Sequence, residues 1–187
     1  MKQYDFDKTP SRWNTFSLKW DIKENELPMW VADMDFETAP EVKEAMIKRA
    51  EHGIFGYSII PDEFFSSIQS WWKRKHQVEF KKQWMIYSSG IVAAISSIVR
   101  RFIKKGDSVL IQSPVFNIFY NSILNNQGTV LSNDLVYENG EYSIDFFDLE
   151  EKLSRPTTKM MILCNPHNPV GKIWTIEELT HIAELCK

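Results

Sequence analysis

Residues 160–171 read "MMILCNPHNPVG", an apolar run that stops at two Asn-Pro dipeptides and a glycine. Proline favours an extended backbone in the residue before it and donates no hydrogen bond to a β-ladder. The pattern therefore predicts a buried strand that ends here and leaves the side chains of Asn165 and Asn168 at the edge of a sheet, where an amide can bind an anionic oxygen. A plain turn explains the same residues, because Asn-Pro is common in turns.

Outward from this strand, the sequence predicts an α/β fold with a mainly parallel sheet flanked by helices. From residue 84 onward, short apolar runs alternate with segments of helical periodicity. Strands that are apolar on both faces and separated by helices are typical of a parallel sheet covered on both sides. We predict strands within 84–90, 107–114, 128–137 and 158–166, and helices within 91–106, 116–126, 144–154 and 175–187.

The N-terminal part of the chain lacks this alternation. Residues 1–37 are polar and weakly periodic and predict an irregular arm, which is followed by helices over 38–53 and 61–76. Capping residues are expected where serine, threonine or glycine flank a helical pattern. The predicted capping residues are Thr38 with Glu41 as a capping box, and Gly53 and Gly106 at helix C-termini.

Composition disfavours several classes of function. The chain has 22 Lys and Arg against 25 Asp and Glu, and a net charge of −3 gives no electrostatic basis for binding nucleic acid or an acidic membrane. We interpret Arg101, Lys104 and Lys105 as a solvated helix end. Two cysteines, Cys164 and Cys186, are too few for a disulfide framework and suit a reducing compartment. Without an apolar signal sequence or membrane span, the expected location is cytoplasmic.

A second polar segment, Ser88-Ser89-Gly90, joins a predicted strand to the start of a helix. Ligands of parallel sheets bind outside the carboxyl ends of the strands. The backbone N–H groups of Ile91 and Val92 are donors at the positive end of that helix, an arrangement that holds a phosphate or a carboxylate. An ordinary serine cap with a glycine turn is the alternative.

Three further groups of residues could carry chemistry. Cys164 and His167 have Cys-x-x-His spacing, but no second pair completes four metal ligands, and a thiol on a buried strand usually packs as a small hydrophobe. Asp33 and Asp35 lie two residues apart and could do acid–base work or simply cap turns. Tyr57 lies between two predicted helices with an exposed or interface phenol.

The motifs "MWVADMDF", "FGYS", "SSGIVAAI" and "NPHNPVGKIWT", in this order, resemble the fold-type I pyridoxal-phosphate enzymes of the class I/II aminotransferase superfamily. Within it, the chain is most similar to the cystathionine β-lyase-like C–S lyases. The resemblance runs along essentially the whole chain. It implies an incomplete aminotransferase-like large domain in residues 46–187, preceded by an N-terminal arm and small-domain segment in residues 1–45.

The resemblance implies pyridoxal 5′-phosphate as the cofactor. By position in the family's motifs, the backbone N–H groups of Gly90, Ile91 and Val92 would cradle its phosphate. Phe116 stands where the family stacks an aromatic residue, usually tyrosine, on the pyridine ring, and it keeps the stacking but loses the hydroxyl. Asn168 matches the asparagine that hydrogen-bonds the cofactor's phenolic oxygen.

Other matched positions concern the substrate and the assembly. Tyr57 matches a tyrosine that reaches across a homodimer interface to the neighbouring subunit's phosphate. Ala32 and Asp33 belong to a segment that would lie near the entrance for the small amino-acid substrate. No metal, nucleic-acid or membrane partner is implied.

The chain also departs from the family, because no residue here matches its catalytic groups. The family's second half carries an aspartate for the pyridine nitrogen, the Schiff-base lysine and an arginine for the substrate carboxylate. No Ser-Lys dipeptide of the kind that marks that lysine occurs here, and neither Lys159 nor Lys172 matches it. We therefore expect this chain to be an N-terminal half that is inactive alone.

For the intact enzyme, the resemblance implies α,β-elimination of cystathionine or a related cysteine thioether to pyruvate, ammonia and a thiol. An aminotransferase would share every motif found here. A non-catalytic binding or regulatory module made of half the fold is another possibility. An unrelated phosphate-binding enzyme is disfavoured, because no Walker or GxGxxG loop is present.

Overall fold

The core of the molecule is a short parallel sheet whose central strand is buried along its whole length. The computed structural model describes residues 4–187, so residues 1–3 of the predicted arm lie outside the described part. Contacts divide the chain into two units, one that ends at Phe64 and one that runs from Phe65 to Lys187. The predicted boundary between residues 45 and 46 concerns membership of the family's two domains and stays a prediction.

Two helices precede the mixed part of the chain, in which strands lie between helices from α3 onward. The helices are α1 (Pro40–His52), α2 (Asp62–His76), α3 (Ile91–Phe102), α4 (Asn117–Leu124), α5 (Phe146–Leu153) and α6 (Ile176–Leu185), with 3-10 turns at Leu18–Trp20 and Lys82–Trp84. The strands are β1 (Ser108–Ile111), β2 (Thr129–Ser132), β3 (Val136–Glu138), β4 (Glu141–Ser143) and β5 (Thr158–Met161). Among residues 4–187, no helix combines the length and apolar character that a membrane span requires.

The main sheet has the order β2-β1-β5, and β1 pairs with both neighbours in parallel. Alternate side chains of β1 point to opposite faces of the sheet, as the pleat requires. Val109 and Ile111 pack on one face with residues of α3 and α4, namely Val99, Phe119 and Ile123. Leu110 packs on the other face with Trp174 and with residues of α5 and α6, Leu149 and Ile182. The predicted α/β fold with a parallel sheet flanked by helices is confirmed.

The predicted capping box at the start of α1 is wrong. The helix begins at Pro40, Ala39 occupies the N-cap position, and no side-chain hydrogen bond caps this end. Proline suits the first helical position, since its fixed φ is already helical and its missing N–H would have no partner there. Thr38 therefore falls one residue outside the cap. At the other end, Gly53 caps the helix in the left-handed region with φ of 70°, as predicted.

Gly106 does not cap α3, contrary to the prediction. The helix ends at Phe102, and Ile103 follows it in an extended conformation. Gly106 instead has φ of 94° in the connection to β1. In that connection the Lys104 N–H donates to the Asp107 side chain over 2.7 Å. The helix thus ends with its last periodic apolar residue, Phe102, four residues before the predicted cap.

Two predicted strands differ from the structure. Residues 84–90 form no strand, because none of the described strands lies beside them to complete a ladder. The segment 128–137 splits into β2 and β3, and β3 pairs with β4 in a separate antiparallel hairpin. Asn133 marks the break: it is fully buried and its amide donates to the Asp145 carbonyl and the Asp148 carboxylate, which turns the chain out of the main sheet.

Candidate functional site

Two polar segments, one of them the Asn-Pro stretch, meet at the carboxyl edge of the parallel sheet. The segment after β1 contains Ser113 and Pro114, and the segment after β5 runs from Cys164 to Trp174. Because β1 and β5 are paired in parallel, both segments leave the sheet at the same edge. The His167 side chain joins them, since its Nε2 lies 3.1 Å from the Pro114 carbonyl oxygen.

The N-terminus of α3 faces the same edge by topology. The connection 103–107 links the C-terminal end of α3 to the start of β1, and Val99 of α3 packs against Val109 and Ile111 of that strand. A helix that packs back along the strand it precedes runs antiparallel to it. The first residues of α3 therefore lie on the side where the strands end.

The start of α3 is open and free of acidic side chains. Gly90 is the N-cap residue, its carbonyl accepts the Ala94 N–H over 3.1 Å, and no side chain caps this end. The alternative, a serine cap, is not observed, and the Ser88 hydroxyl instead donates to the Gly90 carbonyl over 3.1 Å. A Cβ atom built on Gly90 would meet nothing within 4 Å. The first N–H groups of the helix, including those of Ile91 and Val92, thus face space that an anion can enter.

The side chains of the two asparagines that precede proline, Asn165 and Asn168, make different contacts. The Asn165 side-chain oxygen accepts the Trp174 N–H over 3.2 Å, so this amide closes the turn. Asn168 is exposed, and among the hydrogen bonds of the described residues none involves its side chain. Both Asn-Pro bonds are cis, as is Ser113-Pro114. The structure therefore leaves the Asn168 amide available to a ligand.

Phe116 is held at the start of α4. Its half-buried ring packs against the core on the α3 side and meets Phe119 edge-to-face at 6.0 Å. Just before it, the Ser113 hydroxyl lies 2.6 Å from both the Tyr120 and the Ser132 hydroxyls. These bonds tie the end of β1 to α4 and β2, which fixes the loop that carries the phenylalanine.

Asp33 and Asp35, for which the sequence leaves both acid–base work and turn capping open, belong to an ion-pair cluster in the N-terminal unit. Arg12 lies 2.6 Å from the Asp33 carboxylate and 2.8 Å from that of Asp35. The Asp35 carboxylate also accepts hydrogen bonds from Lys19 and from the Trp20 indole, each over 2.8 Å. These donors hold the pKa of Asp35 well below its usual range, and Lys19 has the largest effect. A carboxylate held in this way binds the surrounding donors of the arm and is a poor proton acceptor.

The remaining predicted positions in this unit are exposed. Ala32 and Asp33 lie on the surface, and Tyr57 is fully exposed in the connection between α1 and α2. Their roles toward substrate and partner subunit stay predictions.

Cys164 and His167 make contacts of a structural kind. The Cys164 sulfur accepts the Asn168 backbone N–H over 3.3 Å, while His167 binds the Pro114 carbonyl. Within residues 4–187, no group of three His, Cys, Asp or Glu side chains is arranged to hold a metal ion.

Sequence reasoning missed the contacts that hold the candidate residues of each unit in place. Arg12, Lys19 and Trp20 hold the segment around Asp35, and Trp174 lies beneath the Asn-Pro turn with 3% of its surface exposed. The three donors to Asp35 lie between 15 and 23 residues away in sequence, so local spacing gives no indication of them. Trp174 is close enough to the motif to be noticed, but its contact is visible only in three dimensions.

Comparisons with known proteins cover nearly the whole chain. The sequence profile of the family described as Aminotransferase class I and II matches residues 25–187. Cystathionine beta-lyase PatB of Bacillus subtilis (strain 168) is 41% identical, over 97% of this chain and 49% of its own length. The chain therefore spans about half the length of the curated relatives it matches.

Solved structures agree with these relatives. Cystalysin from Treponema denticola, whose structure contains a pyridoxal 5′-phosphate cofactor, has a TM-score of 0.91 and 34% identity, over 98% of this chain and 49% of its own. A pyridoxal-phosphate-bound C–S lyase from Staphylococcus hominis, complexed with L-cycloserine, has a TM-score of 0.91 and 32% identity, over 98% of this chain and 48% of its own.

Proposed function

We propose that the sheet edge of this chain, which belongs to the aminotransferase class I and II family, binds pyridoxal 5′-phosphate and forms part of a carbon–sulfur β-lyase. The names of similar proteins support this reaction, since one is a cystathionine beta-lyase and another a C–S lyase. The proposed substrates are cystathionine and related cysteine thioethers, which the intact enzyme would convert to pyruvate, ammonia and a thiol.

The observation that carries the proposal is the Asn168 side chain. It is exposed in the turn that follows β5 and makes no hydrogen bond within the described residues, although the turn around it is tied by backbone and side-chain bonds. Because the backbone of the turn is fixed and the amide has no partner within the described residues, the amide can donate to an anionic oxygen without giving up a hydrogen bond to the protein. This arrangement fits a ligand that presents a phenolate oxygen to the sheet edge.

The other residues fit the remaining parts of the cofactor. The open start of α3 suits a phosphate, because its N–H groups and helix dipole favour a negative charge and no acidic side chain lies in its first turn. Phe116 offers an aromatic face for stacking on a heteroaromatic ring. When bound, pyridoxal 5′-phosphate supplies the electron sink that lets an amino acid lose its Cα proton and then a β-substituent.

We further propose that this chain does not catalyse the reaction alone. Lys172 is engaged, since its ammonium lies over the Trp174 ring at 5.0 Å and 3.6 Å from Glu178. Lys159 is exposed on β5. Neither supplies the family's reactive lysine, so we expect binding and orientation of the cofactor but no turnover. The intact enzyme is proposed to be a homodimer in which Tyr57 contacts the neighbouring subunit.

Titration of the purified chain with pyridoxal 5′-phosphate tests the proposal, with tryptophan fluorescence as the readout. We expect saturable binding that Asn168→Ala weakens about tenfold, the loss typical of one hydrogen bond to a charged group. Asn121→Ala, which removes an exposed amide from α4, is the matched control and should bind normally. Equal binding by the two variants would remove Asn168 from the site.

The reaction itself is tested on a longer chain. A chimera that continues this chain with the second half of the Bacillus subtilis relative should release pyruvate from cystathionine with no keto-acid acceptor present. An aminotransferase, which the family description also covers, would require the acceptor. The unextended chain should release no pyruvate under either condition.

A further inference from the structure

We propose that His167 is a positioning residue, which locks the turn that carries Asn168 to the loop that carries Phe116. The functional part of this inference rests on the proposed function, because it assumes that both residues face the cofactor. The structural part, that one imidazole couples the ends of β1 and β5, stands on contacts alone.

The burial of His167 sets it apart from its surroundings. Its side chain is 1% exposed, whereas both neighbours in the turn, Pro166 and Asn168, are exposed. The Nε2 atom lies 3.1 Å from the Pro114 carbonyl oxygen, 53 residues earlier in the chain. A carbonyl oxygen can only accept, so Nε2 must carry the hydrogen. The Nδ1 atom has no partner within the described residues, so the bond to Pro114 is the only hydrogen bond of the ring there.

Trp174 fixes the ring from the side. The two rings meet edge-to-face, with centroids 5.5 Å apart and planes at 87°. The Trp174 indole donates to the Cys164 carbonyl over 3.1 Å, and its backbone N–H donates to the Asn165 side chain over 3.2 Å. The tryptophan therefore binds both ends of the turn while it packs against the histidine.

The backbone of the turn is closed on itself. The His167 N–H donates to the Lys172 carbonyl over 2.7 Å, and the Gly171 N–H donates to the His167 carbonyl over 2.7 Å. Gly171 has φ of 74°, a conformation that glycine adopts without strain. The turn is thus a rigid unit, and the His167 side chain supplies its hydrogen bond to the loop after β1.

The far end of that bond is close to Phe116. Pro114 is followed by Val115, which is 8% exposed and belongs to the core, and then by Phe116 at the start of α4. A bond that holds Pro114 therefore fixes the position from which the phenylalanine ring projects. Loss of the bond would let the Asn168 turn and the Phe116 loop shift independently.

Two substitutions separate this coupling from simple packing. His167→Phe keeps an aromatic ring against Trp174 but cannot donate to the Pro114 carbonyl. His167→Gln loses the ring contact, but its amide N–H₂ reaches about as far as Nε2 and can restore the donor. If His167 merely fills space, phenylalanine is the better substitute. If it couples the two loops, glutamine is the better substitute.

Hydrogen–deuterium exchange on the chain is the first test and needs no cofactor. We expect His167→Phe to accelerate exchange in both 113–120 and 163–175 and to leave exchange in α5 unchanged. The exchange rates of His167→Gln should stay near those of the wild type. Acceleration confined to 163–175, or glutamine worse than phenylalanine, would overturn the proposal. If the variants fail to fold, ¹⁵N spectra of wild-type His167 decide: a hydrogen on Nε2 supports the bond, and a hydrogen on Nδ1 alone excludes it.

Ligand binding is the second test, and it separates this inference from the proposed function. His167→Phe should weaken pyridoxal 5′-phosphate binding about tenfold, as expected for a displaced hydrogen bond, and leave inorganic phosphate binding unchanged because α3 is untouched. His167→Gln should restore the cofactor affinity. If wild type binds no cofactor, the proposed function fails, while the exchange result still confirms or overturns the coupling.

Discussion

Substitution of Gly90 by alanine adds a single methyl group and tests whether a phosphate binds at the start of α3. Its φ of 170° is extended backbone that any residue adopts, and a Cβ there would touch nothing within 4 Å. Gly90→Ala should therefore leave the fold intact while it places a methyl group in the space before the first N–H groups of α3. We expect pyridoxal 5′-phosphate binding to weaken about tenfold or more, because hydrogen bonds to a charged group are lost.

Gly56 provides the matched control. A Cβ on Gly56 also meets nothing within 4 Å, and this glycine lies in the exposed connection after α1. Fluorescence titration of the two alanine variants should give normal binding for Gly56→Ala and weak binding for Gly90→Ala, with equal thermal midpoints. Unchanged affinity in Gly90→Ala would show that no phosphate sits at this helix end.

At the scale of elements, α6 has the best-defined cap in the described part of the second unit. The Thr175 hydroxyl accepts the Glu178 N–H over 3.1 Å, and the Glu178 carboxylate accepts the Thr175 N–H over 2.8 Å. Thr175→Ala should lower the free energy of unfolding by about 1 kcal/mol, the usual cost of a lost N-cap. Urea denaturation measures this loss.

Thr180 lies exposed in the middle of the same helix and serves as the control. Thr180→Ala should be neutral or slightly stabilising, since alanine has the higher helix propensity. A similar destabilisation in both variants would mean that the effect is not due to capping.

Elements with a strong apolar pattern could be predicted from the sequence. Residues 109–111 of β1 and 160–161 of β5 lie in apolar runs, and α3, α4 and α6 lie within the segments of predicted helical periodicity. The parallel arrangement was also predictable, because strands apolar on both faces need helices on both sides. Of the site, the sequence gives the positions of Gly90, Phe116 and Asn168 at helix and strand ends, while their roles rest on resemblance.

The rest depends on contacts between distant residues. Residues 84–90 have a strand's composition but lack a neighbouring strand, and composition cannot supply one. The bond from His167 to Pro114 spans 53 residues, and the cluster around Asp35 needs a particular path of the arm. Such pairs are specified by the folded backbone and leave no periodic pattern in the sequence.

At the scale of the whole molecule, the chain consists of two units that are stabilised by different forces. The unit from Phe65 onward has apolar clusters on both faces of β1. The unit that ends at Phe64 includes an α1 helix with no buried residue, and a cluster of charges around Asp35. The second unit should therefore respond to loss of apolar packing, and the first to loss of charge.

Acid should act on the first unit through Asp35. Because the folded pKa of Asp35 is depressed, its stabilising effect is fully present above the ordinary aspartate pKa of about 4 and is lost as the pH falls through the folded pKa. The order of residues 12–20 and 33–36 should thus persist at about pH 4 and disappear in stronger acid. Asp35→Asn removes the negative charge that pairs with Lys19 and Arg12, so this variant should weaken the order of residues 12–20 and 33–36 at neutral pH.

Hydrogen–deuterium exchange resolved by peptide measures the effect of acid and the effect of Asp35→Asn. In Asp35→Asn, exchange should accelerate in residues 12–20 and 33–36, while peptides from β1 and α4 stay protected, because the core that protects them contains none of the charged cluster. Asp21→Asn, a change at another acidic residue of the arm for which no salt bridge is found within the described residues, should leave the exchange pattern unchanged. Loss of protection in β1 together with the arm would show that the two units unfold as one and that charge, not apolar packing alone, maintains the sheet.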